Sequence, residues 1–255
     1  MQNNTYAEET KLLNFSHPSI AELVKSRCWN DLNRFDKIGA VYHFVKDEVT
    51  FGYNESDDIP ASKVLQDMYG QCNTKAVLLM ALLRGVGIPC RIHAFRVDKQ
   101  VQKGIVPTPF YLLSPRTLLH TWVEVQYNGR WVSLEGCILD QEYLSTIQTQ
   151  WYSCPGGLCG YGVAVKDVHN PSISWKGEDT HIQVDSIVED LGVFYAPDDV
   201  FAKYGANLSP AKKFLFKHVV RKLMNRKVGK LRKSGNSGNS CQNVRETDRQ
   251  IRTTT

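Results

Sequence analysis

The chain has 255 residues, 42% hydrophobic and 22% charged, with a formal net charge of +5. That is enough for one sizeable core, marginal for two domains, and ordinary for a globular protein. No apolar run approaches the roughly 20 residues of a membrane-spanning helix; seven cysteines, an odd number at scattered spacings, argue against a disulfide framework and for a reducing cytoplasm.

The opening stretch, MQNNTYAEETKLLNF, lacks the basic-then-apolar pattern of a signal peptide. From Ser19 to Thr50 apolar residues recur at helical spacing (Ile20, Leu23, Val24, then Ile38, Val41, Tyr42, Val45), which predicts two helices ending near DEVTFGY. DIPASKVLQDMYG reads as a short helix leading into a turn at Gly70.

A helix is predicted over Cys72–Arg84, stopped by GVGIP, with Gly85 or Gly87 in the left-handed terminal position. Cys72 stands on its first turn. A space-filling cysteine fits better among Val77, Leu78, Met80, Leu82 and Leu83. At a helix start, free N–H groups and the positive end of the helix dipole favour an anion, and thiolate is the reactive form of cysteine.

After Pro89 the period changes to two: CRIHAFRV is a strand, and LLHTWVEVQYNGRWVSLEG is two strands joined at Asn128-Gly129, a strong hairpin signal. Between them, residues 98–117 form a Pro-containing connection and a candidate flap. His120, Trp122 and Glu124 share one sign of the pleat. Pairing about the Asn-Gly centre puts Glu135 near or diagonal to His120, within reach of its imidazole. Helices followed by an antiparallel sheet make an α+β domain. A cysteine nucleophile also needs a base, a group to orient it and donors for an oxyanion; Cys72, His120 and Glu135 are candidates for the first three, and the Cys72 N–H for the fourth.

YGQCNTKAVLLMALLRGVGIPCRIH followed by HTWVEVQYNGRWVSLEG resembles the transglutaminase-like superfamily of papain-related cysteine enzymes. The resemblance covers residues 20–137 or so. WKGEDTHIQ, LGVFYAPDDVFAKYG and LMNRKV are also similar to segments that follow this core in some bacterial members. It implies a papain/transglutaminase-like core, with Cys72 as nucleophile, His120 as general base and acid, Glu135 as orienting group, and Gln71 and Trp122 lining the pocket. It also implies acyl transfer or hydrolysis at an amide or thioester of a peptide, protein or carrier-protein-bound acyl substrate. Some relatives join acyl chains on carrier proteins to amines. The family has Asp where this chain has Glu135. Glu is one methylene longer, so either it kinks or the hairpin shifts. The alternatives are an amide synthase acting on carrier-protein-bound acyl chains and a non-catalytic peptide- or protein-binding module on the same fold.

Cys154 and Cys159, with Cys137, His169 and His181 nearby in sequence, lack the second close ligand pair of a structural zinc site, so no metal or cofactor is expected. His93 reads as structural. Residues 137–210 are broken by Gly and Pro and resist assignment.

Charge is unevenly distributed. Residues 1–211 carry 18 Lys and Arg against 24 Asp and Glu, whereas residues 212–233 carry ten and no acid. The expected organisation is a catalytic domain over 1–210, a basic amphipathic helix over 211–233, and a tail over 234–255 of disordered composition. Phe216, Val219, Val220, Leu223, Met224 and Leu231 can share one stripe of that helix. It would meet an acidic partner, an anionic surface or nucleic acid, or dock on the acidic body.

Overall fold

The computed structural model describes residues 5–150, 158–205 and 209–234. Cys154, Cys241 and the tail over 235–255 lie outside them, as does the side chain of Cys159.

The first helices form where the sequence supplies caps. Helix α1 (Pro18–Ser26) has Pro at its first position and the His17 ring accepting from Ser19 N–H; α2 (Arg34–His43) is capped by Asn33, which accepts from Asp36 N–H. A π turn, Phe44–Glu48, extends α2 into strand β1 (Thr50–Phe51). Helix α3 (Ala61–Asp67) ends at Met68 in the left-handed conformation. The expected turn at Gly70 is instead a two-residue strand, β2 (Tyr69–Gly70), parallel to β1. Sequence periodicity cannot detect so short a pair.

Helix α4 (Cys72–Gly85) is the centre of the molecule, with Asn73–Arg84 all buried. It ends as expected, Gly87 holding a positive φ of 76°. The four-stranded sheet runs β5-β4-β3-β8, with β3 (Cys90–Asp98), β4 (Thr117–Tyr127), β5 (Arg130–Ser133) and β8 (Ile187–Phe194) antiparallel throughout. Asn128 and Gly129 both take positive φ, and Glu124 pairs with Ser133, so the hairpin centres where Asn-Gly predicts. One face of the sheet (Ile92, Ala94, Val123, Val125) joins the α1–α4 core. The other carries His93, Phe95, His120, Trp122 and Glu124, with His93 opposite Trp122 and Phe95 opposite His120. The fold is α+β.

The 98–117 connection holds a 3-10 turn (Lys99–Gln102) and helix α5 (Thr108–Leu113). One expectation needs correction. Strand β5 stops at Ser133, so Glu135 is no cross-strand neighbour of His120; it opens a 3-10 turn, Glu135–Cys137.

Beyond that turn, α6 (Gln141–Gln150), β6 (Leu158–Gly160), β7 (Val163–Ala164) and α7 (Pro197–Tyr204) complete the body. A second apolar cluster gathers Phe51, Tyr53, Leu139, Tyr143, Leu144 and Ile147 against Val220, Met224 and Val228 of a C-terminal helix over 210–234. A π turn at Phe216–Val220 interrupts that helix. The single predicted stripe is therefore split: Val220 and Met224 are buried, Phe216 and Leu231 partly so, while Val219 and Leu223 are exposed. Among the described residues its ion pairs to the body are Lys217 to Glu55 at 2.7 Å, Arg232 to Asp140 at 2.6 Å and Arg232 to Glu142 at 3.9 Å.

Candidate active site

Cys72 occupies the first residue of α4, where the leading N–H groups have no carbonyl behind them in the helix. Its approach is constrained. Gly70 runs so close to the first turn that a Cβ there would lie 2.7 Å from Thr74 Oγ1 and 2.9 Å from Lys75 Cγ. Gln71 N–H then donates to Thr74 Oγ1 at 3.1 Å. Cys72 itself is half-buried at the edge of the second cluster, its Sγ 3.7 Å from Asn73 Oδ1.

The two neighbours of Cys72 are tied to a single carboxylate. Asp57 accepts from Gln71 Nε2 at 2.8 Å and from Asn73 Nδ2 at 3.0 Å. Asn73 also donates to Leu119 O and accepts from Thr121 Oγ1, which joins the helix start to the strand that carries His120. Gln71 Oε1 accepts Asn54 N–H at 2.9 Å. Both ends of the Gln71 amide are thus bound within the protein. Burial raises the Asp57 pKa, opposed by its hydrogen bonds from Gln71 and Asn73.

His120 and Glu135 are completely buried and paired, Nε2 to Oε1 at 2.9 Å. With a carboxylate on Nε2, that nitrogen carries a proton and Nδ1 is left to exchange one. Nδ1 is buried and has no hydrogen-bond partner among the described residues. Cys72 is nevertheless the neighbour that acts most on this ring. Burial disfavours the imidazolium, but interaction with Cys72, then with Glu135, outweighs it and pushes the His120 pKa up to about 10. The Glu135 carboxyl, which burial alone would raise, is pulled down to about 2 by the hydrogen bond from His120 and by the nearby His181 ring.

The Glu135 turn is held on all sides. Its Oε2 accepts Ile182 N–H at 3.0 Å and Gln183 N–H at 3.2 Å, and Glu135 N–H donates to Thr180 O at 3.1 Å. From α4, buried Lys75 Nζ donates to Ile138 O and Lys46 O, both at 3.1 Å. The extra methylene of Glu is accommodated because the carboxylate approaches from a turn beyond the strand end. Trp122 is buried, its ring edge-on to His120 with centroids 6.1 Å apart and its Nε1 3.4 Å from Glu124 Oε1. His93 bridges Glu124 at 2.9 Å and Asp190 at 2.8 Å, linking three strands, and does not pair with Glu135.

The predicted residues Cys72, His120, Glu135, Gln71 and Trp122 therefore converge. Sequence reasoning missed Asp57 and Asn73, and weighed His181 only as a metal ligand. Asn73 carried a usable signal in its adjacency to Cys72; Asp57 and His181 sit in loops with no period to mark them. Among the described residues, no cluster of three or more His, Cys, Asp or Glu could hold a metal ion, and no helix is long and apolar enough to cross a membrane. An open concavity of about 220 Å³ lies elsewhere, lined by Phe35, Asp36, Gly39, Ala40, His43 and Trp175.

Residues 22–136 match the family model described as transglutaminase-like superfamily. A solved structure from Cytophaga hutchinsonii, described as a putative cysteine protease, is similar over 76% of this chain and 47% of its own, at 12% identity and a TM-score of 0.44. Red sea bream transglutaminase is similar over 82% of this chain and 31% of its own, at 13% identity and a TM-score of 0.30. The chain thus spans less than half of either protein. No curated protein sequence matches it.

Proposed function

Residues 22–136 belong to the transglutaminase-like superfamily, and on that premise we propose that the protein catalyses acyl transfer or hydrolysis through a thioester on Cys72. The observation that carries this reading is the sealed His120–Glu135 pair, whose second imidazole nitrogen has no hydrogen-bond partner among the described residues and whose ring interacts with Cys72.

His120 Nδ1 takes the proton from Cys72 Sγ, and the thiolate attacks the carbonyl carbon of an amide or thioester. The oxyanion that forms lies at the start of α4, where the Cys72 N–H and the helix dipole favour negative charge. The tetrahedral intermediate collapses as His120 returns its proton to the leaving amine or thiol, leaving the acyl group on sulfur. An acceptor, water or an amine, then adds to the thioester while His120 takes its proton; the thiolate departs and is reprotonated. Glu135 accepts the Nε2 proton bond throughout, keeping the ring in one tautomer. Gln71, with its amide engaged by Asp57 and Asn54, supports the backbone of the site rather than donating to a substrate.

Site-resolved alkylation of Cys72 by iodoacetamide, followed from acid to neutral pH in wild type and His120→Ala, tests this. A wild-type rate at pH 6 about 10²-fold above that of His120→Ala is expected from an imidazole-assisted thiol. Equal rates would remove the enzyme reading and leave a binding module on the same fold. Single-turnover acylation with amides and thioesters, chased with water or amines, then identifies the acceptor.

A further inference from the structure

The Glu135 carboxylate serves two histidines. Oε1 meets His120 Nε2 at 2.9 Å, and His181 Nδ1 stands 3.4 Å from Oε2. The two rings differ in access. His120 is sealed, whereas the His181 side chain is 28% exposed, with only its Nδ1 buried and without a hydrogen-bond partner among the described residues. Trp122 packs edge-on to both, its centroid 6.1 Å from His120 and 5.5 Å from His181. A proton arriving from solvent on His181 would therefore act on a carboxylate that has no water of its own to screen the charge.

We propose that His181 is a positioning residue for the His120–Glu135 pair: by gaining or losing a proton at the rim it takes up or releases part of the Glu135 charge, and so sets how tightly His120 holds its own proton. This rests on the role assigned to His120 above. Glu135 faces His181 from the 3-10 turn, Asp179 from the preceding loop, and Asp185 from the 3-10 turn Val184–Ser186; Trp122 of β4 is uncharged. Burial disfavours the His181 cation, these carboxylates favour it, and the result lies above the ordinary histidine value. A protonated His181 offsets Glu135 and lets His120 release its proton more readily. A neutral His181 leaves the whole carboxylate to His120.

The test is a histidine-ring NMR titration of the full chain, with assignments from His120→Ala and His181→Gln. Gln keeps a donor near Oε2 and removes only the titration. In wild type the His120 ring resonance should show an inflection at the midpoint of His181, and in His181→Gln that inflection should vanish. Superimposable His120 curves in the two proteins would overturn the proposal. If His181→Gln does not fold, wild type decides alone: the His120 resonance must show an inflection at the midpoint of His181, and its absence overturns the coupling. Failure of the underlying reading looks different, as Cys72 alkylation that His120→Ala leaves unchanged.

Discussion

His120 Nε2 and Glu135 Oε1 lie 2.9 Å apart with both side chains fully excluded from solvent. Removing one partner of such a pair leaves the other buried and uncompensated, which costs about 3–5 kcal/mol. Glu135→Gln keeps the volume and an acceptor oxygen but loses the charge. It should lower stability by the smaller part of that range and slow Cys72 alkylation at least tenfold. Glu135→Asp, which restores the family's residue, should retract the carboxylate from His120 and recover only part of the rate. Chemical denaturation and site-resolved alkylation on the same samples read both effects.

The pair also sets a pH window for stability. The folded pKa of His120 is raised from 6.5 to about 10, so its contribution is complete below pH 6.5 and is lost as pH rises through about 10. That of Glu135 is depressed from 4.5 to about 2, so its contribution is complete above pH 4.5 and is lost as pH falls through about 2. The difference in unfolding free energy between wild type and His120→Ala should therefore shrink steadily from pH 7 to pH 10. A difference that stays constant over that range would show that His120 carries no raised pKa.

Asp57 accepts from Gln71 and Asn73, the residues on either side of Cys72. In Asp57→Ala the Gln71 amide loses its acceptor, at about 1–3 kcal/mol before relaxation, and Asn73 keeps only Leu119 O. Alkylation of Cys72 should change several-fold because the helix start that presents it is no longer held. Asp57→Asn can satisfy only one of the two donors and should fall between. Wild-type alkylation in both variants would reduce Asp57 to a purely structural role.

The C-terminal helix should behave as part of the body. Met224 and Val228 are buried in the second cluster, and Arg232 donates to Asp140 at 2.6 and 3.1 Å and to Phe51 O at 3.1 Å. Met224→Ala should cost about 2–5 kcal/mol. Arg232→Ala leaves the buried Asp140 unpaired and should cost a similar amount. Truncation before residue 212 should unfold the second cluster, visible as loss of protease resistance, instead of yielding a folded domain that has merely lost a charged appendage.

Local chemistry was legible from the sequence. The start of α4 is marked by the glycine and the apolar run after Cys72, and the hairpin by Asn128-Gly129, whereas the expected approach of Glu135 to His120 rested on a strand that stops at Ser133. The helix start and the hairpin are readable because their causes are short-range: free N–H groups at a helix start, positive φ at two turn residues, and alternation along a strand. β8 was not legible; its mixed burial follows no period, and it exists because β3 offers it an edge.

What the amino-acid order determined by itself was thus the helix that begins at Cys72 and the hairpin that carries His120. Tertiary structure decided how they meet. Glu135 reaches His120 from a turn held by Thr180, Ile182, Gln183 and Lys75, and Asp57 ties together the flanks of Cys72 from a distant loop. The approach of His181 to Glu135 and the docking of only one face of the C-terminal helix are of the same kind. Each depends on side chains far apart in the chain being packed at ångström distances, and no local period encodes that.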